Sequence, residues 1–205
     1  MQDYIQQLPF SVSDQTQQQM VDFLALLQQW NQAFNLTAIT DPDKVITHHL
    51  MDSLSIAPYV TGNTILDVGT GAGFPGIPLA LLYPDKQFTL LDSNGKKTRF
   101  LQQVKATLSL KNVQVVQERV EKYHTEHCFD AIICRAVGEA AEIIDNTRHL
   151  LCDNGQWLLM KGAIEIAQHE LSNIKESVTL KPLTVPGLDA VRHLVIVRPN
   201  SKESA

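Results

Sequence analysis

The sequence lacks any apolar run that approaches the roughly 20 residues needed to span a bilayer, so it does not predict a membrane protein. Its first ten residues contain Asp3 and several glutamines, a composition unlike that of a signal peptide. The cysteines Cys128, Cys134 and Cys152 are odd in number and too widely spaced for a zinc site. We therefore expect reduced cysteines, a cytoplasmic location and no metal.

Neither basic nor acidic residues are in large excess. The net charge of −5 at pH 7 argues against a free-standing, non-specific nucleic-acid binder, although it says little about a local patch. At 205 residues, with 44% apolar and 19% charged residues, the chain is large enough for one well-buried domain with an appendage.

Helical periodicity characterises the first 60 residues. Residues 15–34 carry apolar side chains at helical spacing, and the Asp41-Pro42 start signal predicts a second helix at about 43–57. We expect residues 1–60 to form an N-terminal helical cap on a core at 61–198, followed by a disordered tail at 199–205.

From Thr64 onward, short apolar runs alternate with helical stretches, which is typical of an α/β fold with a parallel, doubly wound sheet. The pattern predicts strands at 64–68, 87–92, 113–117, 129–134 and 155–160. It predicts helices at about 75–83, 96–109, 119–123, 139–150 and 163–175.

The C-terminal region departs from this alternation. Two apolar runs, 178–185 and 191–197, are separated by five residues, which leaves no room for a crossover helix. Such a connection predicts a hairpin, so one strand must run antiparallel to its neighbour. A doubly wound sheet that ends in an antiparallel hairpin is the Rossmann-like architecture of class I S-adenosylmethionine (SAM)-dependent methyltransferases.

A glycine-rich turn follows the first predicted strand. Asp67 precedes Gly69, Gly71 and Gly73, and Phe74 comes next. Glycines at a strand-to-helix turn let a cofactor approach the backbone closely. Asp92 ends the next strand, where a carboxylate binds ribose hydroxyls.

This turn alone leaves three alternatives open: a methyltransferase, a nicotinamide-dependent dehydrogenase and a non-enzymatic nucleotide-binding domain. A carboxylate at Asp67 suits a cationic sulfonium cofactor and sits poorly beside a pyrophosphate. The terminal hairpin also favours the methyltransferase, so we expect Asp67, the glycine turn with Gly69, Gly71 and Gly73, and Asp92 to bind SAM.

The sequence at the end of the predicted fourth strand limits which kind of atom the enzyme could methylate. It carries no Asn/Asp-Pro-Pro-aromatic loop, which methylation of an exocyclic base amine usually requires. Cys134 follows Ile133 rather than Pro or Thr, so we interpret it as a buried strand residue and not as a nucleophile. The remaining possibility is methylation of a nitrogen whose lone pair is available without deprotonation, such as guanine N7.

Several cations lie where cofactor and substrate should meet. Arg135 ends the fourth strand, and it either contacts cofactor or guanine O6 or forms a salt bridge. Lys161 ends the fifth strand, with a binding role and a structural role both open. Lys96, Lys97 and Arg99 lie in a stretch without acids, which forms either a phosphate-facing strip or a solvated helix face.

Several separated motifs occur together in one order along nearly the whole chain. They are Trp30-Asn31, Asn35-Leu36-Thr37, His49 to Ser53, Asp67 to Pro78, Leu90 to Ser93, Lys96-Lys97, Phe100-Leu101, Arg135-Ala136, Lys161-Gly162 and Arg192-His193-Leu194. In these motifs the sequence resembles the RsmG (GidB) family, the small-subunit ribosomal RNA guanine-N7 methyltransferases.

The resemblance implies an enzyme that uses SAM to methylate N7 of one guanine in 16S rRNA. It implies rRNA, the small ribosomal subunit or an assembly intermediate as partner, with no membrane and no obligate protein partner. Family cofactor positions fall on Gly69, Phe74, Val120, Glu121 and Arg135.

Two positions depart from the family pattern: His48 replaces a usual Arg, and Cys134 replaces a common Ser. For His48, His49, Asp52 and Ser53, a hydrogen-bonded link between cap and core and a substrate-facing role both remain open.

Overall fold

The computed structural model describes residues 1–135, 138–162 and 174–200. Their strands form one seven-stranded sheet in the order β3-β2-β1-β4-β5-β7-β6. The strands are β1 Thr64–Val68, β2 Gln87–Asp92, β3 Val113–Gln117, β4 Phe129–Arg135, β5 Leu151–Lys161, β6 Ser177–Leu183 and β7 Arg192–Arg198. The first five pair in parallel, and β7 is antiparallel to both β5 and β6.

This topology confirms the predicted doubly wound sheet and its terminal hairpin. The carboxyl ends of β1 and β2 lie side by side, since Val68 pairs with Leu91. Strand β5 begins at Leu151, earlier than expected, and the β4–β5 register shifts between Phe129 and Ala131. The helix predicted at 163–175 and the tail beyond 200 lie largely outside the described residues.

Local signals set the helix boundaries. The α-helices are α1 Gln2–Ile5, α2 Asp14–Phe34, α3 Pro42–Val45, α4 Asp52–Leu54, α5 Gly76–Leu82, α6 Gly95–Thr107 and α7 Ala140–Thr147. Short 3-10 turns occur at Ala57–Tyr59, Val120–Lys122 and Arg148–Leu150. Ser13 caps α2 by accepting from the Thr16 amide at 3.1 Å. None of the described helices is long and apolar enough to span a membrane.

The second predicted helix is irregular. Asp41 caps α3 by accepting from the Lys44 amide, and Pro42 follows at the first helical position. The chain then passes through a π-helical stretch, Ile46–Met51, before α4. This continuous helical segment carries the histidines and Asp52 toward the sheet.

Two apolar clusters lie on the two faces of the sheet. One includes Phe23 of α2 together with Phe74 and Phe100, so the N-terminal segment packs directly on the core. The rings of Phe23 and Phe74 are 5.1 Å apart. The other cluster surrounds Trp157, whose indole N–H donates to Thr147 Oγ1 at 2.9 Å. The N-terminal segment therefore shares its core with the sheet.

The expectation of reduced cysteines is wrong for two of the three. Cys128 and Cys152 form a disulfide with their Cα atoms 4.9 Å apart. Cys128 directly precedes β4, and Cys152 is the second residue of β5. Because these two strands are adjacent and parallel, the sheet brings together residues that are 24 apart in sequence. Cys134 lies outside this disulfide and is buried in β4, as predicted.

Candidate active site

The glycine-rich turn lies at the carboxyl edge of the sheet, directly after β1. The Gly69 and Thr70 amides donate to the Leu91 carbonyl of β2 at 2.8 and 3.1 Å, which fixes the turn beside that strand. Gly71 has a φ of +62°, a backbone conformation that side chains with a Cβ rarely adopt. The turn then leads into α5.

Asp67 lies beneath this turn. Its side chain is fully buried, and its Oδ2 accepts from Thr70 Oγ1 at 2.6 Å and from the Gly76 amide at 2.8 Å. Its Oδ1 is buried without a hydrogen-bond partner. Burial raises the pKa of Asp67 to about 7, although the bonds from Thr70 and Gly76 oppose the shift. Asp67 therefore organises the turn from below.

Asp92 connects β2 to the same turn. Its Oδ2 accepts from the Gly71 amide at 2.9 Å, and its Oδ1 accepts from the Asn94 amide at 2.8 Å. The Lys97 ammonium lies 3.7 Å from Oδ2. The predicted ribose-binding carboxylate is therefore directly beside the glycine turn.

A cleft of about 590 Å³ lies between this edge and the N-terminal segment. It is lined by residues of the glycine turn, of the ends of β4 and β5, of β7 and of the segment 36–52. They are Leu36, Thr37, Ile39, His48, His49, Asp52, Gly69, Thr70, Gly71, Ala72, Phe74, Lys97, Arg135, Met160, Lys161, Gly162 and Arg192.

Phe74, in the glycine-rich turn, contacts side chains from two other parts of the cleft. The His49 ring stacks on it with centroids 4.8 Å apart. The Arg135 guanidinium lies over the Phe74 ring at 5.3 Å from its centroid, a cation–π arrangement. The glycine turn, the N-terminal segment and β4 thus converge on one aromatic side chain.

Arg135 is held by the N-terminal segment. Its Nη1 donates to the His48 carbonyl at 3.0 Å and to Asp52 Oδ2 at 3.3 Å. The other oxygen of Asp52 accepts from Arg192 Nε at 3.1 Å. Asp52 therefore bridges two arginines that line the cleft, with one on β4 and the other on β7.

The histidines of the same segment are part of a link between cap and core. His49 Nε2 is 2.8 Å from Thr37 Oγ1, and the Ser53 hydroxyl donates to the His49 carbonyl. Burial lowers the pKa of His49 to about 4, with Arg135 adding to the shift, so His49 is neutral near pH 7. Both of these hydrogen bonds lie within the N-terminal segment. His49 links the segment to the core by stacking on Phe74, and His48 does so through its carbonyl, which accepts from Arg135. A substrate-facing role for these residues stays a prediction.

The other predicted site residues divide into two groups. Lys97 and Lys161 line the cleft, and Lys161 Nζ donates to the Gly138 carbonyl at 3.2 Å. Lys96 and Arg99 are exposed on α6, outside the cleft lining. Arg99 donates to the Gly95 carbonyl, its own helix backbone.

Val120 and Glu121 lie in the 3-10 turn just after β3, at the carboxyl edge next to β2. Val120 packs against the Trp157 cluster and Glu121 is exposed. Neither lines the cleft as described, so their contact with cofactor stays a prediction.

Arg192 lines the cleft, although the sequence predicts no site role for it. It begins the Arg192-His193-Leu194 motif, but no local pattern indicates its pairing with Asp52, 140 residues away. The pairing arises because β7 lies next to β5, which brings the start of β7 to the cleft.

The turn fits a ligand that approaches its backbone. A Cβ added at Gly71 would have its nearest neighbours, the Gly69 carbonyl and the Lys97 ammonium, 3.9 Å away, so the space above this glycine is open. At Gly76 the same atom would lie 2.6 Å from Asp67 Oδ2. The open side of the turn faces the cleft, and the crowded side faces the protein core.

A seven-stranded sheet with an antiparallel terminal hairpin and a glycine turn paired with an acidic strand end define a class I SAM-dependent methyltransferase. The family model for GidB, described as rRNA small subunit methyltransferase G, matches residues 16–195. The chain belongs to this family.

Curated relatives agree over almost the whole chain. "Ribosomal RNA small subunit methyltransferase G" of Coxiella burnetii (strain RSA 331 / Henzerling II) is 54% identical over 196 residues, which cover 96% of this chain and 95% of the relative. The protein of the same name from Legionella pneumophila subsp. pneumophila (strain Philadelphia 1) is 47% identical over 184 residues, covering 90% and 88%.

Solved structures support the fold. The plantazolicin methyltransferase BpumL, solved in complex with SAH, matches with a TM-score of 0.62 and 12% identity over 90% of this chain and 99% of its own. Magnesium protoporphyrin IX methyltransferase from Synechocystis PCC 6803, solved with bound SAM, matches with a TM-score of 0.61 and 16% identity over 86% and 97%.

Proposed function

We propose that this chain transfers a methyl group from SAM to N7 of a specific guanine in 16S rRNA, and that the transfer takes place in the cleft between the glycine turn and Arg135. Among the described residues that line the cleft, Asp52 is the one carboxylate, and two arginines hold it. His49, with a pKa of about 4, is a poor base at neutral pH.

The occupation of both Asp52 oxygens by arginines is the observation that carries the choice of atom. His48 also lines the cleft, and its Nδ1 lies 2.9 Å from Thr47 Oγ1. A reaction that had to remove a proton before methyl transfer would need an available base. When bound, SAM supplies an electrophilic methyl group on its sulfonium, and guanine N7 offers a lone pair without prior deprotonation. Binding and orientation by the chain then supply the catalysis.

The residues proposed to hold the cofactor surround the turn. They are Gly69, Gly71, Gly73, Phe74, Asp92, Val120, Glu121 and Arg135. Asp92 offers its carboxylate to the ribose hydroxyls, and the open backbone at Gly71 lets the cofactor approach closely. Asp67 is buried below the turn, so its proposed role is to hold the turn through its bonds from Thr70 and Gly76.

Arg135 is the proposed catalytic residue. It lines the cleft at the end of β4 and lies over the Phe74 ring, so its guanidinium can donate to guanine O6 and leave the lone pair of N7 free to attack the methyl group. The target base enters the cleft unpaired or flipped out of its loop. The Phe74 ring beneath Arg135 gives that position one apolar wall.

Basic side chains give the cleft its affinity for RNA. Lys97 and Lys161 line it, and Lys96 and Arg99 extend the positive surface along α6. Because the chain as a whole is acidic, recognition of a folded rRNA, a small subunit or an assembly intermediate is favoured over binding to any RNA. A cytoplasmic location, where small subunits are assembled, is part of the same proposal.

The test is incubation with SAM that carries a tritiated methyl group and with small-subunit particles that lack the modification. Label in 16S rRNA, recovered as 7-methylguanosine after nuclease digestion, is the expected result. Label in another nucleoside would overturn the choice of N7, and the absence of label in 16S rRNA would overturn the enzymatic assignment.

A further inference from the structure

We propose that Asp52 is a positioning residue for methyl transfer, which fixes the Arg135 guanidinium over the Phe74 ring and balances its charge. This role depends on the proposed function, because it assigns Asp52 a part in the same reaction. It also gives the N-terminal helical segment a direct part in the active site.

The geometry around Asp52 is specific. Its side chain is buried, and each of its two oxygens has a different arginine partner, Arg135 at 3.3 Å and Arg192 at 3.1 Å. Arg135 is fixed a second time by the His48 carbonyl at 3.0 Å. Both of these hydrogen bonds come from the N-terminal segment, and the Phe74 ring lies against the guanidinium at 5.3 Å from the ring centroid. Residues 48–52 and Phe74 therefore set the orientation of the guanidinium.

The charges explain why a carboxylate is useful here. The described cleft lining contains four permanent cations, Lys97, Lys161, Arg135 and Arg192, against the single carboxylate of Asp52. Transfer of the methyl group delivers a positive charge to the guanine ring. An uncompensated guanidinium beside that ring would oppose the transfer, and in a dry site such repulsion is stronger than in water. Asp52 reduces this repulsion and leaves the N–H donors of Arg135 in place.

This assignment makes an unusual prediction for Asp52→Asn. The substitution adds one net positive charge to the cleft, so binding of polyanionic RNA should be unchanged or tighter. The rate of methyl transfer should nevertheless fall, by about 100-fold, because Arg135 is both misplaced and uncompensated. A residue that only attracts or repels RNA would change KM without this loss of kcat.

The experiment measures kcat and the KM for unmodified small subunits, with SAM affinity and thermal unfolding as controls. Asp145→Asn is the matched variant, since Asp145 pairs with Arg148 on the exposed face of α7. It should leave both constants unchanged. The expected result for Asp52→Asn is a lower kcat with an equal or lower KM. An unchanged kcat, or a higher KM with unchanged kcat, would overturn the proposal.

A double substitution tests whether Asp52 acts through Arg135. In an Arg135→Met background, Asp52→Asn should lower kcat less than threefold further, because the guanidinium it positions is absent. A full additional loss would contradict the proposal.

Arg192→Lys supplies a variant that keeps the cleft charge but replaces the Nε donor to Asp52, so it tests the same bridge if Asp52→Asn does not fold. Arg192→Lys should lower kcat at similar KM, and an unchanged kcat would contradict the bridge. Failure of the wild type to label 16S rRNA would instead refute the proposed function itself.

Discussion

The Gly71 amide donates to Asp92 Oδ2 at 2.9 Å, so the turn after β1 is tied to the acidic end of β2. This bond joins the two features on which the proposed cofactor site depends. One oxygen of Asp92 holds the turn, and the second is engaged by the Asn94 amide. The same carboxylate thus shapes the turn, and its contact with the ribose hydroxyls stays a prediction.

Asp92→Ala should weaken SAM binding by about 10- to 100-fold. The substitution removes charge-assisted hydrogen bonds, each with a contribution of about 1.5–3 kcal/mol. Isothermal titration with SAM measures the effect. Asp85→Ala, an exposed position just before the opposite end of β2, is the control and should bind as the wild type does. Equal affinity for Asp92→Ala and the wild type would exclude Asp92 from the site.

Alanine at Gly71 and at Gly76 should produce different defects. The Cβ at Gly76 would lie 2.3 Å from Leu90 Cδ2 and 2.6 Å from Asp67 Oδ2, so Gly76→Ala should cost about 1–3 kcal/mol of unfolding free energy or more. Gly71→Ala meets open space but has a φ of +62°, which costs about 1–2 kcal/mol. Its added methyl projects where the cofactor approaches. Chemical denaturation and SAM titration of both variants should show the larger affinity loss, relative to stability, at Gly71.

Asp67 should make the stability of the protein depend on pH. Its pKa is raised from 3.8 to about 7, so the folded state holds a proton that the unfolded state has lost between these values. The stabilisation by this proton is fully present below about pH 4 and decreases as pH rises to 7, by on the order of 1.4 kcal/mol per pKa unit.

Asp67→Asn provides the comparison for this effect. The amide oxygen of Asn can accept the bonds from Thr70 and Gly76, and its NH2 takes the position of the unpartnered Oδ1. The unfolding free energy of the wild type minus that of the variant should therefore fall between pH 4 and pH 7. A difference that is constant with pH would show that Asp67 does not titrate in this range.

Lys161→Gln should weaken RNA binding in a salt-dependent manner. Lys161 lines the cleft, so its removal should reduce the slope of log affinity against log salt by about 1 and weaken all RNA substrates similarly. Titration of labelled 16S rRNA at several salt concentrations measures the slope. Lys111→Gln, an exposed position just before β3 and at the other end of the strands, is the control. Equal slopes for both variants would place the RNA elsewhere.

The Cys128–Cys152 disulfide should stabilise the fold without affecting methyl transfer. It joins the amino ends of β4 and β5, at the edge of the sheet opposite the cleft. Cys152→Ser should lower the unfolding free energy by about 3 kcal/mol and leave kcat unchanged. Alkylation of the denatured, unreduced protein should modify one cysteine, Cys134. Modification of three cysteines would show that the disulfide does not form.

Much of the fold could be predicted from the sequence because the strands are short apolar runs with clear boundaries. Strands β1, β2 and β3 occur at the predicted residues. The short separation of the two C-terminal apolar runs correctly predicted the antiparallel hairpin of β6 and β7. The cofactor edge followed from the same pattern, because parallel strands end at one edge of the sheet.

Contacts between distant segments could not be predicted in this way. Asp52 follows a π-helical stretch, and its contacts with Arg135 and Arg192 join residues 83 and 140 positions apart. No local pattern marks either pair. The disulfide was missed for a similar reason, since its cysteines approach through the β4–β5 register. The burial of Asp67 depends on the path of the turn above it.

Binding of SAM in this cleft is tested most directly by calorimetric titration of the pure protein. The wild type should release or absorb measurable heat with SAM and with its demethylated product, at a stoichiometry of one, and should show no binding of a pyridine dinucleotide. The absence of heat with both sulfur compounds, together with tight binding of the dinucleotide, would contradict the cofactor site described around Gly71 and Asp92.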